Sequence, residues 1–155
     1  MQRFVRFSLS IVAVAALLAL VPSSTGAHEG REVAEGQYDF TVGFIEEPAF
    51  VGEMNGLTLR VEAIDGETTE PVIGLDQTLE AEVIFGDQTM ALELSPAFQD
   101  EGVYESVFFP MAVGDYTFRI FGEIDGNAID ETFTSAPDGF DSVQDRAPLE
   151  FPKPA

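Results

Sequence analysis

The chain has 155 residues, with 28 acidic and seven basic side chains and a formal net charge of −21. That balance repels nucleic acid and anionic membrane surfaces as partners. There is no cysteine, which excludes disulfides, thiolate metal sites, redox motifs and cysteine nucleophiles. The acids are scattered and lysine is nearly absent, Lys153 standing alone; solvated strand faces or a saline habitat would both produce this excess.

Residues 1–27 have the plan of a secretory signal peptide. Arg3 and Arg6 give a positive start, and 8–21 is an uncharged run of small and aliphatic residues too short for a comfortable membrane span. Pro22 breaks the helix, and Thr25 and Ala27 put small residues at the −3 and −1 positions. Cleavage after Ala27 makes His28, the sole histidine, the first residue of the mature chain. The alternative is an uncleaved N-terminal anchor. With no cysteine at the junction, a lipoprotein is excluded. The expected destination is the periplasm, the cell surface or the medium, with no stable membrane insertion once the leader is gone.

After a segment expected to be flexible (28–36), the hydrophobic period is two from residue 37 to residue 134. Tyr38, Phe40, Val42 and Phe44 alternate with polar or small residues, and so do Leu57, Leu59, Val61 and Ala63. Leu79, Ala81, Val83 and Phe85 follow, and then, after a Gly86-Asp87 turn, Met90, Leu92 and Leu94. Further strands are read at 103–108, 116–120 and, past the turn at Asp125 and Gly126, 128–134. About seven strands without an amphipathic helix predict an all-β fold, an immunoglobulin-like antiparallel β-sandwich. Gly114 followed by Tyr116 at the head of a late strand has the spacing of a tyrosine corner, the alternative being an ordinary core aromatic. Ile84 and Phe121 stand on the polar sides of their strands, to be covered by the tail, a second sheet or a partner. The proline-rich, acidic stretch 135–155 is expected to be irregular, with Phe140, or Leu149 and Phe151, pinned against the domain.

Motifs for chemistry are sparse. There is no phosphate-binding loop with lysine and no serine in a nucleophile elbow, and a triad would need a histidine inside the fold. The acidic run "DGNAIDE" from Asp125 to Glu131 fails as an EF-hand, with Asp130 where glycine is needed and Ala136 where glutamate is needed. The expectation is therefore a non-enzyme. The one sharp candidate is copper: the free amine and imidazole of His28 form a chelate suited to Cu(II), with Glu29 or a nearby acid completing it. The absence of a second histidine rules out the two-histidine brace of copper monooxygenases. Met54, Met90 and Met111 carry thioethers suited to Cu(I), but the phase of Met90 assigns it to the core and the others fall in loops.

The segments "YDFTVGFIEEPAFVGEMNGLTLRVEAIDGETTEPVIGL" and "VYESVFFPMAVGDYTFRIFGEIDG" resemble small exported immunoglobulin-like proteins of the YtkA and CopC-like kind. The likeness rests on the Asn55-Gly56 turn, the Glu70-Pro71-Val72 segment and the Gly114, Tyr116, Phe118 strand. It implies the fold, export and a link to copper handling. The CopC-like copper site joins an N-terminal histidine to an aspartate and a second histidine, and of these only His28 has a counterpart here. Two functional readings follow: an exported cell-envelope protein that binds or delivers copper, and an interaction module for another envelope protein with no metal role.

Overall fold

The computed structural model describes residues 28–135 and 139–153. The expected signal peptide therefore lies outside the described residues, as does part of the tail. Ten strands form two sheets: β1 (His28–Val33), β2 (Tyr38–Phe44), β3 (Asn55–Asp65), β4 (Thr68–Pro71), β5 (Leu79–Phe85), β6 (Gln88–Leu92), β7 (Ser95–Pro96), β8 (Val103–Phe108), β9 (Thr117–Ile124) and β10 (Asn127–Thr134). One sheet runs β1-β2-β3-β8-β7, with β4 also paired to β3, and the other runs β10-β9-β5-β6. With β2, β3, β8 and β7 as strands A, B, E and D, and β5, β9 and β10 as C, F and G, this is the immunoglobulin-like order. All the strand pairs are antiparallel.

The inward phases are the ones the alternation predicts. Phe40, Val42, Phe44, Leu57, Leu59 and Val61 are fully buried from one sheet, and Phe118, Ile120 and Phe133 from the other. The centre is aromatic. The Phe44 ring lies 5.4 Å from Phe118 and 5.5 Å from Phe140 in edge-on contacts, and 6.0 Å from Tyr116. Burying such rings and setting them at these angles supplies most of what holds the layers together.

Two tyrosines tie connections to this core. Tyr116 is a tyrosine corner: its hydroxyl donates to the Ala112 carbonyl at 3.0 Å and accepts from the Ala112 N–H at 3.2 Å. Tyr104 donates to the Val72 carbonyl at 2.7 Å and accepts from the Leu75 N–H at 3.1 Å, fixing the link between β4 and β5. Asn55 and Gly56, expected as a turn, are the first residues of β3. The Asn55 side chain bonds the main chain of Glu46 in both directions, and a Cβ on Gly56 would meet the Ser106 carbonyl at 2.1 Å.

Residues 28–36 differ from the expected flexible arm, because their first six residues are β1, paired along its whole length with β2. The inward positions of β1 are Glu29, Arg31 and Val33. Arg31 spreads its guanidinium 4.2 Å above the Phe133 ring and donates to the Thr132 carbonyl at 2.6 Å, so a charged side chain fills a place hydrophobic periodicity cannot flag. Phe121 is roofed in a similar way, with the Arg119 guanidinium 4.7 Å above its ring.

The tail is irregular but docked. Phe140 and Val143 are buried, whereas Leu149 and Phe151 are exposed. Val143 exchanges both main-chain hydrogen bonds with Gly114 at 3.0 Å, and the Gln144 N–H donates to the Ala49 carbonyl at 2.8 Å. Beneath it, Glu47 accepts from the Phe44 N–H at 3.2 Å with one carboxylate oxygen, while the other is buried without a partner. Burial, reinforced by the nearby charge of Asp141, raises its pKa from the ordinary 4.5 to about 7.

Loss of one ring or one hydroxyl separates the two kinds of contribution in urea denaturation. Phe44→Ala is expected to cost about 3–5 kcal/mol and Tyr116→Phe about 1 kcal/mol. Between the unfolded and folded pKa values of Glu47 the native state holds a proton that the unfolded chain has released. Its contribution to stability therefore falls as pH rises through that window. Glu47→Gln should accordingly raise the urea midpoint at pH 8 and leave it little changed at pH 4.

Candidate functional site: an apolar cleft at the open side of the sandwich

The two sheets do not end together. Strand β6, at the edge of the four-stranded sheet, has five residues; the facing edge strand β7 has two. In the β5–β6 register Met90 stands opposite the buried Val83 and therefore points inward, as its phase predicts. It is nonetheless 49% exposed, because β7 is too short to cover it. This corrects the assignment of Met90 to the core.

The gap is a cleft of about 330 Å³. Its floor is Val83, Phe85 and Tyr116, one wall is Gln88, Thr89 and Met90, and the other is formed by Phe108, Phe109, Met111 and Ala112. The tyrosine corner holds that second wall, since the Ala112 main chain is the segment that Tyr116 grips. Pro110 is fixed from the other side by the Gly52 N–H, which donates to its carbonyl at 2.8 Å. The Phe85 and Tyr116 rings lie 4.7 Å apart across the floor. At the rim, Phe109 is 56% and Met111 73% exposed. The lining holds no charged side chain, and the polar side chains turned toward it are those of Tyr116 and Gln88. Such a surface can bind apolar groups and orient them with a few hydrogen bonds. The sequence signal was the run Val107, Phe108, Phe109, Pro110, Met111, in which the apolar residues stop alternating.

The predicted metal residues fall elsewhere. His28 and Glu29 are neighbours in β1, and strand geometry turns consecutive side chains to opposite faces. The imidazole lies over the outer face of its sheet, in a depression shared with Thr58, Arg60, Asp100 and Glu105. The Glu29 carboxylate faces the interior, 3.9 Å from Arg31, and burial raises its pKa, with Arg31 pulling the other way. The structure thus does not bring the two side chains together. Among the described residues no three histidine, aspartate or glutamate side chains are grouped to hold a metal. The cleft offers the Met90 and Met111 thioethers without an imidazole or carboxylate, so the thioethers lie on a different surface from the His28 imidazole and the Asp100 and Glu105 carboxylates that share its depression. The acids of 125–131 are likewise engaged in the β9–β10 hairpin: Asp130 by Arg119 at 2.7 Å, Glu131 by Arg31 at 3.7 Å and Asp125 by the Tyr38 hydroxyl at 3.1 Å. Among the described residues no helix is long and apolar enough to cross a membrane.

If the cleft is a preformed apolar site, its rim can be altered at little cost to folding. Met90→Ser with Met111→Ser is expected to lower stability by about 1 kcal/mol or less, as for surface positions. The same pair should abolish the fluorescence gain of Nile red, a neutral apolar dye, on the unsubstituted protein. Leu92→Ser, one inward position further along β6, should instead cost about 2–4 kcal/mol.

Compared with protein-family models, curated proteins and solved structures, the chain matches none of them.

Proposed function

We propose that this chain is an exported, non-catalytic β-sandwich domain of the cell envelope whose task is to bind another envelope protein. The observation that carries this reading is the open cleft beside β6, an apolar surface of fixed shape with exposed methionine and phenylalanine at its rim. The cleft lining supports a binding role over catalysis. It has no carboxylate, histidine or amine, and the Tyr116 hydroxyl is already engaged with the main chain. Export rests on the leader pattern of 1–27, and the likeness to YtkA and CopC-like proteins agrees with it.

Copper binding or delivery is the second reading, favoured by that likeness and by the amine that cleavage after Ala27 would free on His28. It rests on His28, with Glu29 turned to the opposite face and the acids beside the imidazole being Glu105 and the Arg60-paired Asp100.

One set of exported proteins tests both. A photo-crosslinking side chain is placed at Gln88, in the inward phase of Met90, or at Phe109, with Thr132 on the outer face of the four-stranded sheet as control, in the chain carrying its own leader. One and the same envelope protein should be captured from both cleft positions and not from the control. Equal capture at all three, or none, overturns the binding role, and retention of the chain in the cytoplasm overturns export. The copper reading requires a mature chain beginning at His28 and Cu(II) binding that His28→Ala weakens about tenfold or more.

A further inference from the structure

The two lateral sides of the sandwich are finished differently. Along the β1–β10 side, Arg31 reaches from one sheet to the Thr132 carbonyl and Glu131 of the other and closes the gap. Along the opposite side, among the described residues, no side chain bridges β6 and the segment after β8 in this way. Strand β6 pairs with β5 alone, so its outer edge presents unpaired N–H and carbonyl groups directly beside the apolar cleft.

We propose, building on the binding role above, that this side accepts an extended segment of a partner protein as an added strand along β6. The segment places apolar side chains in the cleft and carries lysine or arginine about six residues apart. Main-chain pairing supplies affinity in such strand addition, and pockets for alternate side chains supply selectivity. The cation spacing comes from Asp87 and Glu93, which bracket β6. Both are exposed, and neither has an ion-pair partner among the described residues. At ~3.3 Å per residue the six steps between them span about 20 Å.

Charge selects this occupant over two others. Of the basic residues described, Arg31, Arg60, Arg119 and Arg146 are each paired to carboxylates and Lys153 donates to the Ala147 carbonyl, so none is free to answer Asp87 or Glu93. A second copy pairing antiparallel about Met90 would set Asp87 directly opposite Glu93 twice, a like-charge arrangement that destabilises a sheet. A net charge of −21 also repels an anionic lipid surface.

The test uses the full exported chain and a synthetic peptide of about eleven residues, with two lysines six residues apart around alternating valine and threonine. A twin peptide with glutamate for lysine is the control. The lysine peptide should bind, more weakly at high salt, and shift amide resonances of 88–92, 108, 109, 111 and 112. Asp87→Lys with Glu93→Lys, both with exposed side chains, should weaken it about tenfold with the circular dichroism unchanged. Failure of the lysine peptide to bind, equal binding of the glutamate peptide, or shifts centred elsewhere overturns the proposal. So does self-association that Met90→Asp abolishes, which would make the occupant a second copy. If crosslinking from Gln88 and Phe109 succeeds while the peptide fails, the binding role stands and the chemistry of the occupant falls. If both fail, the cleft has no docking role and the carboxylates serve to guard an edge.

Discussion

Phe44 is the joint on which the molecule depends. Its ring stands at the end of β2 and packs edge-on against Phe118 of the other sheet and Phe140 of the tail, with Tyr116 and Phe108 completing the ring of neighbours. Because one side chain joins both layers and the C-terminal segment, the sheets cannot slide and the tail cannot lift without exposing the same aromatic surface. Phe118 and Phe140 are themselves stacked, with centroids 5.2 Å apart. The described tail from residue 139 is thus held by the buried Phe140 and Val143 and by main-chain bonds to Gly114 and Ala49.

That joint lies towards one end of the sandwich, and the cleft is a consequence of where the sheets part beside it. Tyr116 belongs to both: its ring packs against Phe44 and Phe85, and its hydroxyl holds Ala112, in the wall that carries Phe109 and Met111. The rim is exposed because β7 is short, yet its wall is tied to the core through Tyr116. This combination is what a preformed binding surface requires, since little side-chain or loop order is left to be imposed on association.

How much of this could be read from the sequence depends on what the period-two pattern encodes. Alternation reports which face a side chain takes, and it did so for Phe40, Val42, Leu59, Val83 and Phe118. It does not report whether an opposing sheet extends far enough to cover that face, so Met90 has the right phase and the wrong burial. Nor does it register a strand whose inward positions are Glu29 and Arg31. Those residues are held by ion pairing, a main-chain bond and the face of Phe133 rather than by apolar burial. The same unrecognised strand explains the metal pair. In a flexible arm His28 and Glu29 could converge on one ion, whereas in β1 the pleat separates them. Phe140 could be suspected as a lone aromatic in a polar tail, but its partner ring Phe118 is 22 positions away, and the contact exists only once the sandwich has formed.

The charge distribution carries the last step. On the outer face of the four-stranded sheet Arg119 bonds Asp130 at 2.7 Å and Glu82 at 3.0 Å, joining three strands, and its guanidinium holds the Asp130 carboxyl below the usual range. The same side chain covers Phe121, so this face offers a partner neither a free cation nor a bare aromatic. The Arg31 bridge closes the β1–β10 side in the same manner. Each arginine among the described residues is thus spent on the protein's own carboxylates. What remains unmatched is negative charge and exposed apolar surface, the latter gathered in the cleft beside β6 and also present at Ile73, Phe98, Leu149 and Phe151. Exposed ion pairs of this kind add little stability individually. Their larger effect is to remove the cations that would attract acidic partners, leaving a surface whose long-range field steers basic ones toward it.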